Sequence, residues 1–243
     1  PKEVQLQAQL HRLSLLLDFD KWLTVESKLA NLKLDSLRTK ITQQIQTAVD
    51  LLLKNNLAFS QLPASYSVYA KLNFAISLNN IPDEQFHAQA IKYAESALQT
   101  AKSTNSQRLQ SESFGILGKL KLEQSQPYFE EALGLAQSVQ AWDLAYQWQQ
   151  ELGNLYKEQG KYKKALQAYS AAIENVTLVR NNLLSTNTDL QFSFQEKVEP
   201  LYREYMRLLL ADFNPNLSQV IQTNERLQIA QLENYLQCGR LDL

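Results

Sequence analysis

The chain has 243 residues, of which 44% are hydrophobic and 20% charged, a globular composition with length enough for one large core or one stack of helices. A formal net charge of -1 excludes the electrostatic footprint of a nucleic-acid or anionic-membrane binder. No apolar run approaches the roughly 18 residues that span a bilayer, and the single cysteine, Cys238, excludes an internal disulfide.

Helical periodicity runs from end to end. Leu6, Leu10, Leu13 and Leu17 recur at spacings of four, three and four, and Ile41, Ile45, Ala48 and Leu52 share one face in the same way. The apolar pattern and its breaks predict eleven helices, near 2–17, 20–33, 35–55, 65–79, 83–103, 105–123, 126–139, 141–159, 162–185, 188–211 and 216–237. No two-residue alternation lasts long enough for a strand. The breaks carry polar and turn residues, from Asp18–Asp20 to the segment around Pro215. Pro63, Pro82 and Pro127 lie near helix starts, where a missing N–H costs least. Pro200 falls inside the apolar pattern from Leu190 to Leu210, so it is expected to kink that helix or begin a new one. The chain enters its first helical pattern at Pro1, as expected of a piece of something longer.

The most specific stretch is 148–172, Trp148-Gln-Gln-Glu-Leu152-Gly153-Asn-Leu-Tyr156 followed by Gly160-Lys-Tyr162-Lys-Lys-Ala165 and Tyr169-Ser-Ala-Ala172. It resembles one tetratricopeptide repeat (TPR), with L-G-x2-Y, then Ala, then an aromatic residue four later. Gly153 is expected to let the first helix of the hairpin approach the second, and Gly160 to allow the turn between them. Ala165 and Ala172 keep the second helix thin, while Tyr156, Tyr162 and Tyr169 are expected to fill the space left. The motif's Trp belongs at Gln149 and sits one earlier, at Trp148. Phe129 to Tyr169 and Ala132 to Ala172 are each 40 residues apart, and Leu117-Gly118 to Leu152-Gly153 is 35, so the pairs are similar but unequal. A single hairpin cannot bury its apolar face alone, and stacked hairpins can. The expected fold is therefore all-α, a right-handed superhelical solenoid of TPR-like helix pairs. It is read as one domain over 1–243, with atypical helices at 1–56, repeats at 57–185 and C-terminal helices at 186–243.

From about Leu57 onward the chain resembles the TPR region of cyanobacterial proteins that carry a caspase-like CHAT domain. Gln61-Leu-Pro-Ala-Ser65 with Tyr69-Ala-Lys-Leu-Asn-Phe-Ala-Ile-Ser-Leu78 resembles an early repeat of that family. Ser113-Phe-Gly-Ile-Leu-Gly118 and Tyr146-Gln-Trp-Gln-Gln-Glu-Leu-Gly153 resemble central ones. The most specific match is Gln191-Phe-Ser-Phe-Gln-Glu-Lys-Val-Glu-Pro-Leu-Tyr-Arg203 with Leu227-Gln-Ile-Ala-Gln-Leu-Glu-Asn-Tyr235. The resemblance implies an interaction and control module that leads into a downstream caspase-like domain absent from these residues.

Chemistry of its own is not expected. A caspase-like centre needs a Cys thiolate with a His nearby in the fold, and Cys238, between Gln237 and Gly239, lacks a matching signature. His11 and His87 read as surface or packing residues. No His or Cys pair has metal-ligand spacing, and Gly118-Lys119 and Gly160-Lys161 lack the rest of a phosphate-binding loop. No catalytic residue, metal or cofactor is expected. The cluster Lys157, Lys161, Lys163 and Lys164 reads first as a solvated turn, second as an anchor for an acidic segment. Trp142 and Trp148 read as packing between repeats.

A partner is expected on the first helix of each pair. Registered on Leu152-Gly153, that face is Gln147, Gln150, Asn154 and Lys157; registered on Leu117-Gly118, it is Glu112, Gly115, Lys119 and Leu122. On the Pro200 helix it is Glu196, Glu199, Arg203 and Met206. Acidic residues among the cations argue against a clamp for a C-terminal carboxylate. An amide-rich groove suits a protein or peptide segment held by backbone-like hydrogen bonds. These positions are expected to be exposed, so that Gln150→Ala with Asn154→Ala would leave the fold intact. The alternative is a spacer or self-association scaffold, with Leu227, Ile229, Leu232, Tyr235 and Leu236 making the C-terminal end the suspect surface. Neither nucleic acid nor a membrane-inserted segment is expected as a partner.

Overall fold

The computed structural model describes residues 2–29, 34–183, 198–211 and 215–239. Among these the chain is all-helical, with no strand and eleven α-helices. They are α1 (Lys2–Leu29), α2 (Asp35–Lys54), α3 (Asn56–Ser60), α4 (Ala64–Asn79), α5 (Glu84–Ser103), α6 (Gln107–Leu120), α7 (Ser125–Ser138), α8 (Trp142–Glu158), α9 (Tyr162–Leu183), α10 (Glu199–Leu210) and α11 (Leu217–Gly239). Two departures from the expected elements cancel in the count. The break at Asp18–Asp20 does not form: α1 runs through it, with Leu13 and Leu17 packed in the core before it and Leu23 buried beyond it. The short α3 is additional, and it buries Phe59 completely. Pro200 lies in the first turn of α10, and the expected start of that helix at 188 lies outside the described residues.

The chain divides into two compact units, 1–128 and 129–243, a boundary inside α7 and at neither of the expected subdivisions. In the first unit α4 and α5 pack as a pair. Ala90, Ala94, Ala97 and Ala101 form a fully buried stripe on α5, at spacings of four, three and four. Small side chains there let two helix axes come close, and the larger Val68, Leu72, Phe74 and Leu78 of α4 occupy the same core. Phe59, Phe74 and Tyr93 form an aromatic trio with ring centroids 4.8–5.6 Å apart, which explains why α3 orders at all. Lys71 is buried in this unit and donates to Thr100 Oγ1 at 3.0 Å, and burial lowers its pKa. In the second unit α8 and α9 pack as a pair, and α9, α10 and α11 share its core.

Three helix-to-helix turns repeat one geometry. Asn105, Gln140 and Gly160 each have φ between 53° and 70°. The N–H that follows each reaches back five residues: Ser106 to Ala101 O at 3.3 Å, Ala141 to Ala136 O at 2.9 Å and Lys161 to Tyr156 O at 2.8 Å. These are Schellman caps, which satisfy the last carbonyls of α5, α7 and α8 through a left-handed residue. Gly160 supplies that conformation without a side-chain clash, as its motif position predicts, and Asn105 tolerates it better than most residues. Gln140 has neither advantage.

Replacing Gly160 by Ala should therefore cost about 1–2 kcal/mol of unfolding free energy, with no steric component, since nothing lies within 4 Å of the added methyl. Gln140→Gly should raise stability by several tenths to about 1 kcal/mol, strain relief outweighing added unfolded-chain entropy. Urea unfolding of both variants checks the opposite signs.

Candidate partner-binding face

The α8–α9 pair closes on one contact. A Cβ placed on Gly153 would lie 2.9 Å from Cε1 of Tyr169, and the whole near edge of that ring lies within 3.1 Å. Tyr169 is fully buried and cannot swing away. Its hydroxyl donates to Asn154 Oδ1 at 2.6 Å, so the residue beside the glycine holds the ring in place. Ala165 and Ala172, four before and three after Tyr169, are completely buried, as the repeat motif predicts. Tyr156 is half-buried against the same core, its hydroxyl 3.4 Å from Glu130 Oε1. Tyr162 departs from expectation: it is 60% exposed at the start of α9 and fills nothing. The displaced tryptophan is accounted for. Trp148 is buried and stacks on Phe129 at 6.3 Å, while Gln149 is buried behind it and accepts from Asn175 Nδ2 at 2.7 Å.

The four α8 residues expected to meet a partner do share one partly exposed face. Three of them are already engaged within the chain. Gln147 donates to the Asp143 carbonyl at 2.8 Å, Asn154 accepts from Tyr169, and Lys157 donates to Glu204 Oε1 of α10 at 2.8 Å. The expectation that Asn154→Ala would spare the fold is corrected, because it removes the acceptor of a buried hydroxyl. Gln150 is half-buried on the same row. On α10, Arg203 donates Nε to Glu199 Oε1 at 2.7 Å, and Gln231 of α11 donates to Glu199 Oε2 at 3.1 Å. The Arg203 and Gln231 hydrogen bonds, in that order, hold the Glu199 carboxyl below its usual pKa. With Arg207 also 3.5 Å from Glu204, each α10 cation sits beside a carboxylate, an arrangement unlike a carboxylate clamp. Met206 is half-buried against the core, and Glu196 lies outside the described residues.

The row on α6 is less regular. Glu112 is half-buried and Lys119 exposed, but Gly115 is buried and so cannot line a groove, and Leu122 lies beyond the helix in a 3-10 turn. The lysine cluster is a turn with local partners: Lys161 donates to Gln159 at 2.7 Å, and Lys164 lies 5.5 Å over the Tyr156 ring. His87 Nδ1 is 2.8 Å from Asn79 Oδ1, and His11 is exposed. The side chains of Tyr235, Leu236 and Cys238 lie outside the described residues. Among the described residues no three His, Cys, Asp or Glu side chains group as metal ligands, and no helix is long and apolar enough to cross a membrane.

No protein-family model matches the chain, and no curated protein matches it in sequence. Among solved structures it is similar to the crystal structure of BtubC (BKLC) from P. vanneervenii, at 16% identity over 93% of this chain and 92% of that one, with a TM-score of 0.52. At that identity the likeness bears on the fold alone, and it accords with an all-helical chain.

Gly153→Val should lower stability by at least about 1–3 kcal/mol, because the Tyr169 ring is enclosed and cannot yield; an unchanged melting temperature would show that the contact is not tight. A second outcome concerns alkali. Burial, reinforced by Asp143, pushes the Tyr146 hydroxyl up to about 12, and burial first and then Glu204 raise Tyr169 as well. In the unfolded chain these phenols ionise near pH 10. Stability is thus full below about pH 10 and falls as pH rises towards 12, since only the unfolded state releases those protons. Tyr146→Phe should flatten that limb in pH-dependent urea unfolding.

Proposed function

We propose that this chain is a protein–protein interaction module of stacked TPR-like helix pairs, without catalysis of its own, that binds a partner segment along the α8 row. The observation that carries the reading is the state of that row. Asn154 and Lys157 are held by Tyr169 and Glu204, while Gln147 and Gln150 remain partly exposed beside them. A polar face already fixed in one arrangement loses little side-chain entropy when a segment docks. Side-chain amides both donate and accept, so they match a peptide backbone. The CHAT-family resemblance adds a role to this reading: the module positions or regulates a downstream caspase-like domain of the same polypeptide.

A second reading, self-association, is favoured by α11. Leu217, Ile221, Ile229 and Leu232 are all more than half exposed there, opposite the buried Leu227 and Ala230. Leu227, expected on the outer surface, is instead part of the core.

The test is capture of partners from the native host, followed by calorimetry with wild type and with Gln147→Ala/Gln150→Ala, which spares the Tyr169 acceptor. The double variant should bind the best partner more weakly by roughly 1–3 kcal/mol, at about 0.5–1.5 kcal/mol per hydrogen bond. Equal affinities would remove the contact from α8. A sedimentation-measured dimer that Ile229→Glu dissolves would then make self-association the better reading.

A further inference from the structure

The first unit holds a cleft that no motif in the sequence marks. Along α1, Glu3, Gln7, His11, Ser14 and Asp18 recur at spacings of four, four, three and four, and so share one helix face. Along α4 and its C-cap, Tyr66, Tyr69, Asn73, Ile76 and Asn80 do the same at three, four, three and four. These rows border a cleft between the two helices. It has a hollow of about 80 Å³ at the Glu3 and Tyr66 end and one of about 240 Å³ at the Asp18 and Asn80 end, with Leu10, His11 and Asn73 lining both.

The charge along this cleft is of one sign. Glu3 and Asp18 line it, and among the described residues no lysine or arginine does. Arg12, the nearest cation in sequence to its centre, instead donates to Gln44 of α2. Among the described residues neither Glu3 nor Asp18 makes an ion pair. Their carboxylates are therefore available to a ligand. They are fifteen residues apart on one helix, about 22 Å at about 1.5 Å per residue. An extended chain covers that span in roughly seven residues.

We propose that the α1–α4 cleft is a docking site for an extended cationic peptide segment, with two Arg or Lys side chains about seven residues apart. One cation meets Glu3 beside the Tyr66 and Tyr69 rings, where a carboxylate and aromatic faces attract a guanidinium together. The other meets Asp18 in the larger hollow. Between them Gln7, Asn73 and Asn80 offer amide donors and acceptors to the peptide backbone. The negative lining excludes nucleic acid as the occupant. This site shares no residue with the α8 row, so either can fail without the other.

The experiment uses a fluorescein-labelled Gly/Ser peptide of about eleven residues with Arg at two positions about seven apart, read by anisotropy. Two control peptides carry Glu at both positions, or the two Arg about two apart. Wild type should bind the widely spaced Arg peptide at least about tenfold more tightly than the Glu peptide. It should bind the closely spaced peptide several-fold more weakly, because one chain end then lacks its carboxylate. Rising salt should weaken binding, since partly exposed charges are screened. Glu3→Gln/Asp18→Asn, nearly isosteric, should reduce affinity about tenfold at an unchanged melting temperature, and Gln147→Ala/Gln150→Ala should leave it unchanged. No saturable binding by about 1 mM, equal affinity for the Arg and Glu peptides, or full affinity in Glu3→Gln/Asp18→Asn would each overturn the proposal.

Discussion

The Tyr169 ring occupies the volume that a side chain at residue 153 would need, and much of the second unit follows from that exchange. A helix pair joined by a three-residue turn must place two backbones side by side. Where one presents no side chain, the other can send a full aromatic ring across the gap. The ring's hydroxyl would be costly to bury alone, and Asn154, the residue next to the glycine, accepts it. One glycine, one tyrosine and one asparagine thus determine how α8 and α9 meet. They also determine which α8 side chains are left facing outward.

The first unit reaches the same close pairing by another route. Its α4–α5 pair has an alanine stripe in place of a glycine, so no single residue carries the contact. Its aromatic bulk comes from three elements, with Phe59 of the short α3 seated on Phe74 and Tyr93. The turns are more uniform than the pairs. Three of them use the same left-handed cap, at an asparagine, a glutamine and a glycine. The backbone hydrogen bonds of the cap are independent of side chain, so the geometry survives where the sequence departs from the motif.

Polar residues on the outward faces divide into those that complete the fold and those that remain available. On α8 and α10 most are committed, as with Lys157 to Glu204 and Arg203 to Glu199. A cation paired in this way offers little to an anionic ligand, but its position is set. On α1 the carboxylates of Glu3 and Asp18 have no such partner among the described residues, and two tyrosines and two asparagines of α4 and its C-cap stand opposite. The difference lies in the neighbouring helix. Lys157 of α8 reaches Glu204 of α10, a helix rich in Glu and Arg; alongside α1 stands α4, whose facing row has no charge.

Helix identity and most helix ends were legible in the residues, because the spacing of apolar side chains and the placement of Pro, Gly and Asn act locally. So were Gly153, Gly160, Ala165, Ala172 and Tyr169, whose roles belong to one hairpin and are repeated in its motif. The merging of two expected helices into α1 was not legible, because Asp18 and Asp20 look like a break until Leu13 and Leu23 are seen to be buried on either side of them. Nor was the exposure of Tyr162, the engagement of Asn154 and Lys157, or the buried pair of Gln149 and Asn175. Each depends on which residue of another helix stands opposite, across as many as 47 positions of sequence. The α1–α4 cleft is of the same kind: both rows are periodic in the sequence, but only packing makes them face each other. Local spacing decides what a helix is and where it ends, and the tertiary structure decides which of its polar side chains are still free to bind.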